Sequence, residues 1–276
     1  MNDKVRFAAD LFQGTAEYYD RYRLPYSDSM LTDLVSRAQV SGSGRLLDLA
    51  CGTGQLAFPL RRRFAEVWAV DQEPDMVAVV RAKADAAGAQ DVRPVVSSAE
   101  ILDVQSEYFE MAVVGNAFHR LDRDVVARRV HEWLRPGGHM ALCWLSGPWE
   151  GEADWQRTYA DVLSKWQVTL GVEDRVPVGW DEDRQDRPDV SVLSDAGFEV
   201  VGRHEFAGEY RWSLPELAGY VRSTSLLPVS VLGDQAAAFD ADLAETLRPH
   251  ADDGSDTFTA AMSFAYELVR KPASDH

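Results

Sequence analysis

A short acidic and glycine-rich segment near residue 50 has the residue types of a ligand-binding turn. The run Asp48-Leu49-Ala50-Cys51-Gly52-Thr53-Gly54 follows the apolar residues Leu46 and Leu47. Glycine lets the backbone turn sharply at the end of a strand, and a helix that begins after the turn offers unpaired N–H groups to an anionic ligand group. We therefore expect a strand, a ligand-binding turn and a helix in this order.

A second acidic position, Asp71, ends the next apolar run and precedes Pro74. A carboxylate at the end of a strand accepts hydrogen bonds from the hydroxyls of a bound sugar. The pattern Gly52-x-Gly54-x-x-Ala57 also fits the dinucleotide fingerprint, which expects an acidic residue about 20 residues later. These residues alone leave a nicotinamide cofactor open.

His119 and Tyr22 are the candidate catalytic residues. An unperturbed histidine titrates near neutral pH, so His119 is the first candidate for a general base. Tyr22 lies in a cluster of four tyrosines with Tyr18, Tyr19 and Tyr26 and is a candidate for contact with a cofactor or an acceptor. The structural alternatives are a histidine held by backbone hydrogen bonds and a tyrosine-bearing helix that packs on the core.

The elements that must position these residues follow an alternating pattern. The sequence predicts an N-terminal helix around residues 10–20 and then strands alternating with helices, an arrangement typical of parallel βαβ units with ligands at the carboxyl ends of the strands. Little periodicity is found in residues 173–190. The predicted strands span residues 45–50, 67–70, 92–96, 111–114, 139–144, 198–206 and 258–270, and the main helices residues 76–87, 124–134, 148–170, 190–196, 214–223 and 233–247.

Five segments, in order, resemble the motifs of class I S-adenosylmethionine-dependent methyltransferases. They are Leu46 to Gly54, Val70-Asp71-x-x-Pro74-x-Met76, Ser98-Ala99-Glu100, Asn116-Ala117-Phe118-His119, and Leu134-Arg135-Pro136-Gly137-Gly138. Tyr18 to Arg23 and Tyr220 to Ser225 also resemble a branch of small-molecule, antibiotic-tailoring methyltransferases from actinobacteria.

The resemblance implies an α/β fold, a Rossmann-like seven-stranded and mostly parallel sheet with helices on both faces, an antiparallel last strand and a helical cap. Together with the changes in periodicity it predicts four regions. These are an N-terminal helical cap segment (1–40), a cofactor-binding core (41–146), a cap or lid over the acceptor site (147–190), and a C-terminal region (191–276) that completes the sheet and carries a helical excursion at 214–248.

The resemblance also implies S-adenosylmethionine as cofactor and S-adenosylhomocysteine as product. Backbone near the glycine turn would lie against the methionine moiety, Asp71 would bind the ribose hydroxyls and Met76 would pack on the adenine. Ser98 stands where many relatives carry aspartate. The residues implied to bind the cofactor are Asp48, Ala50, Gly52, Gly54, Asp71, Gln72, Met76, Ser98, Ala99, Glu100 and Asn116.

Composition limits the partners. The 276 residues include 28 Lys and Arg against 45 Asp and Glu, a formal net charge of −17 that repels nucleic acids and anionic membranes. The same excess of acids also serves solubility alone. No apolar run approaches the roughly 20 residues of a membrane helix and no signal peptide is recognised, which predicts a cytoplasmic protein. Cys51 and Cys143 lie in apolar segments, and no metal site is predicted.

The acceptor is predicted to be a small molecule. Trp149, Glu150, Glu152, Asp154 and Trp155 would suit a cationic sugar, since carboxylates hold ammonium groups and tryptophan faces cover sugar rings. The first expectation is N-methylation of an amino sugar of an aminoglycoside-like antibiotic. The alternatives are O- or C-methylation of another secondary metabolite, an NAD(P)-dependent oxidoreductase, and a catalytically silent cofactor-binding partner protein. The oligomeric state stays open.

Overall fold

The structure is a computed structural model that describes residues 7–8, 10–177, 179–252 and 255–273. The chain forms two compact units. The sheet unit comprises Pro25–Leu145, Gly179–Phe206 and Phe264–His276, and the helical unit comprises Met1–Leu24, Ser146–Val178 and Ala207–Ser263.

A seven-stranded sheet carries the fold, with the strand order β3-β2-β1-β4-β5-β7-β6. The strands are β1 (Arg45–Leu49), β2 (Glu66–Asp71), β3 (Val92–Val96), β4 (Phe109–Gly115), β5 (Leu134–Leu145), β6 (Glu199–Ser213) and β7 (Thr257–Arg270). The first five pair in parallel, and β7 pairs antiparallel with β5. The predicted Rossmann-like sheet with an antiparallel last strand is confirmed.

Helices surround the sheet, and their bounds follow local signals. Pro74 occupies the first turn of its helix, and the Asp122 side chain caps the next by accepting a hydrogen bond from Val125 N at 3.3 Å. The helices are α1 (Ala16–Tyr22), α2 (Asp28–Arg37), α3 (Ala57–Leu60), α4 (Pro74–Ala86), α5 (Arg123–Trp133), α6 (Asp154–Leu170), α7 (Trp180–Asp186), α8 (Asp189–Asp195), α9 (Leu214–Arg222), α10 (Val229–Leu232) and α11 (Ala236–Leu247).

The core of the sheet unit is built from apolar strand residues. Leu47, Val70 and Phe109 are completely buried and belong to one cluster with Val130 of α5. Such continuous apolar strands are typical of parallel sheets that are covered on both faces. The carboxyl ends of β1, β2 and β4 consequently meet at one edge of a rigid sheet.

Aromatic residues hold the helical unit together. Tyr159 of α6 is completely buried and donates a hydrogen bond to Leu217 O at 2.7 Å. The Arg23 guanidinium lies over the rings of Tyr19 and Tyr220 and donates to the Tyr220 hydroxyl. Within the described residues, no helix combines the length and apolarity needed to cross a membrane.

Three sequence predictions of local structure were wrong. Turns span residues 10–14, and the first helix begins at Ala16. β5 begins at Leu134 rather than His139, with Gly137 in a left-handed conformation (φ 76°) within it. Residues 173–190, which show little periodicity in the sequence, contain α7. Ion pairs rather than an apolar stripe hold this segment in place, because Arg123 binds Asp183 of α7 and Asp189 at the start of α8.

Candidate functional site

The glycine turn after β1 bends through a series of left-handed residues. Ala50, Gly52 and Gly54 have φ values of 51°, 54° and 87°. A Cβ on Gly54 would lie 2.8 Å from the Phe58 ring, so both conformation and packing require glycine there. Left-handed alanine is strained, and residues of this kind cluster at ligand sites.

Asp71 fastens this turn to the end of β2. One carboxylate oxygen accepts a hydrogen bond from Gly52 N at 2.8 Å, and the other accepts from Glu73 N at 2.9 Å. Burial raises the pKa of Asp71, while N–H donors from Glu73, Gly52 and Gln72 act in the opposite direction. These three donors use three of the about four acceptor positions of a carboxylate, so acceptor capacity remains for a ligand hydroxyl.

Asp48 lies behind the turn rather than at its surface, with 1% of the residue exposed. Its Oδ2 accepts a hydrogen bond from Ala57 N at 2.9 Å, which fixes the start of α3. Its Oδ1 has no hydrogen-bond partner among the described residues. Burial, reinforced by the nearby charge of Asp71, raises the pKa of Asp48 to about 8, so this side chain is largely protonated at neutral pH.

The loop after β3 lies beside Asp71, because Ser97 N donates to Asp71 O at 3.0 Å. Of the residues predicted there, Ala99 is buried, Ser98 is half-buried, and Glu100 accepts a hydrogen bond from Asp122 N at 3.0 Å. Glu100 therefore also holds the loop that leads into α5. Of the two other predicted contacts beyond β2, Gln72 is exposed and Met76 is buried in the first turn of α4.

Asn116, directly after β4, adopts a left-handed conformation with φ 47°. Its side chain is held by β5, since Nδ2 donates to Leu145 O and Leu145 N donates to Oδ1, each at 3.1 Å. These two bonds fix the orientation of the amide. Asn116 can therefore contribute its backbone to a ligand site, as the sequence suggested, at the same sheet edge as the glycine turn.

The surroundings of His119 do not suit a general base. Arg120 Nε donates to His119 Nε2 at 3.2 Å, so the nitrogen that would take a proton is already engaged. Burial and then the charges of Arg120 and Arg184 lower the pKa of His119 to about 3. Its ring stacks on Trp144 and packs against Trp180, with centroids 6.3 Å and 5.1 Å away. The structure thus argues against the predicted catalytic role.

The two tyrosines of interest lie in different units. Tyr22 belongs to the helical unit, where its ring stacks on Tyr18 and packs against Gly219. Tyr26 belongs to the sheet unit, and a Cβ placed on Gly115 at the end of β4 would lie 2.6 Å from its hydroxyl oxygen. Sequence reasoning singled out Tyr22 and passed over Tyr26, although the glycine that ends β4 was a signal of close approach.

Known proteins resemble this chain most clearly over the region just described. Residues 46–138, about a third of the chain, match a family model described as a methyltransferase domain. The match covers the glycine turn, Asp71 and the loops after β3 and β4, in a sheet of the order expected for class I. Residues 46–138 are thus similar to methyltransferase domains.

Curated proteins that this chain matches are only distantly similar to it. An uncharacterized methyltransferase of Mycobacterium bovis is 29% identical over 147 residues, which is 53% of this chain and 56% of that protein. The demethylmenaquinone methyltransferase of Thermus thermophilus is 34% identical over 110 residues, or 39% of this chain and 50% of that protein. The chain thus spans about half the length of these relatives.

Solved structures extend the likeness of fold beyond residues 46–138. A protein of Anaeromyxobacter dehalogenans, provisionally named a type II methyltransferase, is 19% identical with a TM-score of 0.62 over 92% of this chain and all of that one. The [4+2]-cyclase SpnF is 20% identical with a TM-score of 0.55 over 90% of this chain and 82% of that one. The second name shows that this fold alone does not fix the reaction.

The buried Asp48 makes stability depend on pH. Its folded-state pKa is raised above the unfolded value, so folding favours the protonated form and stability falls as pH rises from about 4 to about 8. Asp48→Asn keeps an acceptor for Ala57 N and cannot ionise. In thermal unfolding, Asp48→Asn should raise the free energy of unfolding relative to wild type by on the order of a few kcal/mol at pH 9 and only slightly at pH 5. If the stabilities of wild type and Asp48→Asn changed with pH in parallel, this account of Asp48 would be contradicted.

His119 should remain neutral over the physiological range. Its folded-state pKa is lowered, so its contribution to stability is complete above the unfolded value of about 6.5 and is lost as pH falls toward 3. NMR titration, with the His119 signal assigned by its loss in His119→Gln, should show no midpoint above pH 5. A midpoint between pH 6 and 7 would restore His119 as a candidate base.

Proposed function

We propose that this chain is an S-adenosylmethionine-dependent methyltransferase that acts on a small molecule. The observation that carries the proposal is the glycine turn that the Asp71 carboxylate locks onto the end of β2. It lies at the carboxyl edge of a mostly parallel sheet, where ligands bind in open α/β folds. The family model and the curated relatives support the same activity.

The residues at this edge suit the cofactor. The bend at Ala50, Gly52 and Gly54 presents backbone without a long side chain at these positions, and Asp71 keeps acceptor capacity for a ribose hydroxyl. The Oδ1 of Asp48 is buried behind the turn without a hydrogen-bond partner among the described residues. We propose that the eleven cofactor-binding residues predicted from sequence act together here, Asp48 from its buried position.

When bound, the cofactor would supply an electrophilic methyl group to the acceptor. In our proposal, this chain holds the acceptor in line and excludes water, which can supply much of the rate enhancement of such a transfer. No general base is assigned, because the lone pair of His119 Nε2 is engaged by Arg120.

The oxidoreductase alternative is disfavoured by the sheet. Dinucleotide-binding folds of the usual kind have the strand order 3-2-1-4-5-6. Here the antiparallel β7 lies between β5 and β6. The fingerprint at Gly52, Gly54 and Ala57 is therefore better explained by the methyltransferase turn.

The amino-sugar hypothesis loses part of its motivation. Trp155 is buried and donates its Nε1–H to Thr259 O at 3.0 Å, so its face is core rather than a sugar-binding surface. Asp154 is paired with Arg157, and Glu152 is exposed. The acidic tryptophan-bearing segment thus offers fewer groups to a cation than its sequence suggested.

We propose instead a planar acceptor with an oxygen or carbon nucleophile. Near Asn116 the sheet unit carries the rings of His119, Trp144 and Trp180, and the Arg184 guanidinium lies 4.1 Å from the Trp144 ring centroid. Aromatic and basic groups favour flat, neutral or anionic molecules over cations. Relatives named for demethylmenaquinone and for ubiquinone O-methylation are consistent with this class.

Other sequence predictions remain proposals. They include the roles of Tyr22 and of the cap at 147–190, a cytoplasmic location, the absence of nucleic-acid and membrane partners, and the kinship with antibiotic-tailoring enzymes. Among the described residues, no group of three or more His, Cys, Asp and Glu side chains could hold a metal ion.

Cofactor binding provides the first test. S-adenosylhomocysteine should bind the purified protein in calorimetry and NADH should not. Asp71→Asn should weaken that binding about 10- to 100-fold, because it removes charged hydrogen bonds. Asp75→Asn is the matched control, since Asp75 is an exposed acid in the first turn of α4. Heat with NADH alone, or equal effects of both variants, would overturn the assignment.

Acceptor class provides the second test. Transfer of labelled methyl from S-adenosylmethionine should be faster to quinols and phenols than to amino sugars, by about tenfold or more. A silent cofactor-binding protein would bind S-adenosylhomocysteine without transferring label. A preference for amino sugars that weakens with added salt would reinstate the cationic acceptor.

A further inference from the structure

The phenol of Tyr26 occupies the point where β4 ends. A Cβ on Gly115 would lie 2.6 Å from the Tyr26 hydroxyl oxygen, 3.3 Å from its ring Cζ and 3.1 Å from Leu56 Cδ1. Real Cβ atoms essentially never come as close as 2.6 Å to another heavy atom. Gly115 is therefore required because the phenol oxygen fills the space that a side chain would use.

The chain around Tyr26 fixes this oxygen in place. Tyr26 is 7% exposed and directly precedes Ser27, which caps α2 by accepting a hydrogen bond from Met30 N. Met30 and Leu34 of that helix are completely buried. The phenol is thus carried by an anchored segment rather than by a loop that could swing away.

The surrounding residues belong to the proposed cofactor site. Gly115 is followed by the left-handed Asn116, and β4 pairs with β1 through Val114 and Leu49. Leu49 precedes the left-handed Ala50, and Leu56 immediately precedes α3. The Tyr26 oxygen consequently lies at the end of β4, next to the strand whose end carries the glycine turn.

We propose that the Tyr26 hydroxyl oxygen contacts the reactive end of the bound cofactor, which makes Tyr26 a catalytic residue of the sheet unit. The inference rests on the proposed function. An oxygen lone pair attracts the hydrogens of a methyl group that an adjacent positive sulfur polarises, as in other C–H···O contacts. S-adenosylhomocysteine lacks both this methyl and the positive charge, so the contact distinguishes cofactor from product.

The test compares the two ligands in calorimetry. Tyr26→Phe keeps the ring and removes the oxygen, so the Kd for S-adenosylmethionine should rise about two- to fivefold relative to that for S-adenosylhomocysteine. Tyr108→Phe is the matched control and should leave the ratio of the two Kd values unchanged, because Tyr108 precedes β4 at its other end and packs on Trp68 and Phe109. Thermal unfolding of each variant reports whether the fold is retained.

A second variant addresses the same oxygen without touching it. Gly115→Ala introduces a methyl group that would displace the phenol. In the wild-type protein this substitution should therefore change the ratio of the two Kd values, whereas in the Tyr26→Phe variant it should change that ratio much less. An unchanged ratio in Tyr26→Phe, or equal weakening of both ligands, would overturn the role of Tyr26. Failure of wild type to bind either ligand would instead overturn the proposed function, and the Tyr26 assignment with it.

Discussion

The arrangement of the site depends on one carboxylate that joins two pieces of backbone. Asp71 receives Gly52 N from the turn after β1 and Glu73 N from the approach to α4. Without this acceptor, the N–H groups of Gly52 and Glu73 would lose a hydrogen-bond partner near the protein interior, which is energetically unfavourable. The same oxygens still have lone pairs, so a group that shapes the turn can also serve a ligand. In our proposal, one side chain therefore serves both the structure of the turn and the recognition of the cofactor.

Burial of a second acid next to the first has an electrostatic consequence. The charge of Asp71 adds to the cost of ionising Asp48, and burial prevents water from screening Asp48. At neutral pH the negative charge at this point of the sheet therefore belongs to Asp71. The net charge of −17 contributes only a general field, whereas the Asp71 carboxylate acts at a defined position.

Local motifs allowed much of the fold and of the cofactor region to be predicted. The glycine turn, Asp71 and Asn116 lie within a few residues of strand ends, and strand ends converge in a parallel sheet. The surroundings of His119 could not be predicted, because Trp180 and Arg184 come from a segment with no apolar periodicity and their contacts are tertiary. The burial of Trp155 and the position of Tyr26 could not be predicted for a related reason, because sequence does not show which face of an aromatic residue is covered.

The position of β7 affects how the sheet can be assembled. This strand follows β5 in the chain by more than one hundred residues, yet its residues 264–270 pair directly with β5. During synthesis β5 therefore emerges long before its antiparallel neighbour and presents an unpaired edge. Closure of so long a loop is entropically costly and slow. The nascent chain thus passes through a stage in which an apolar edge is open to aggregation and to chaperones.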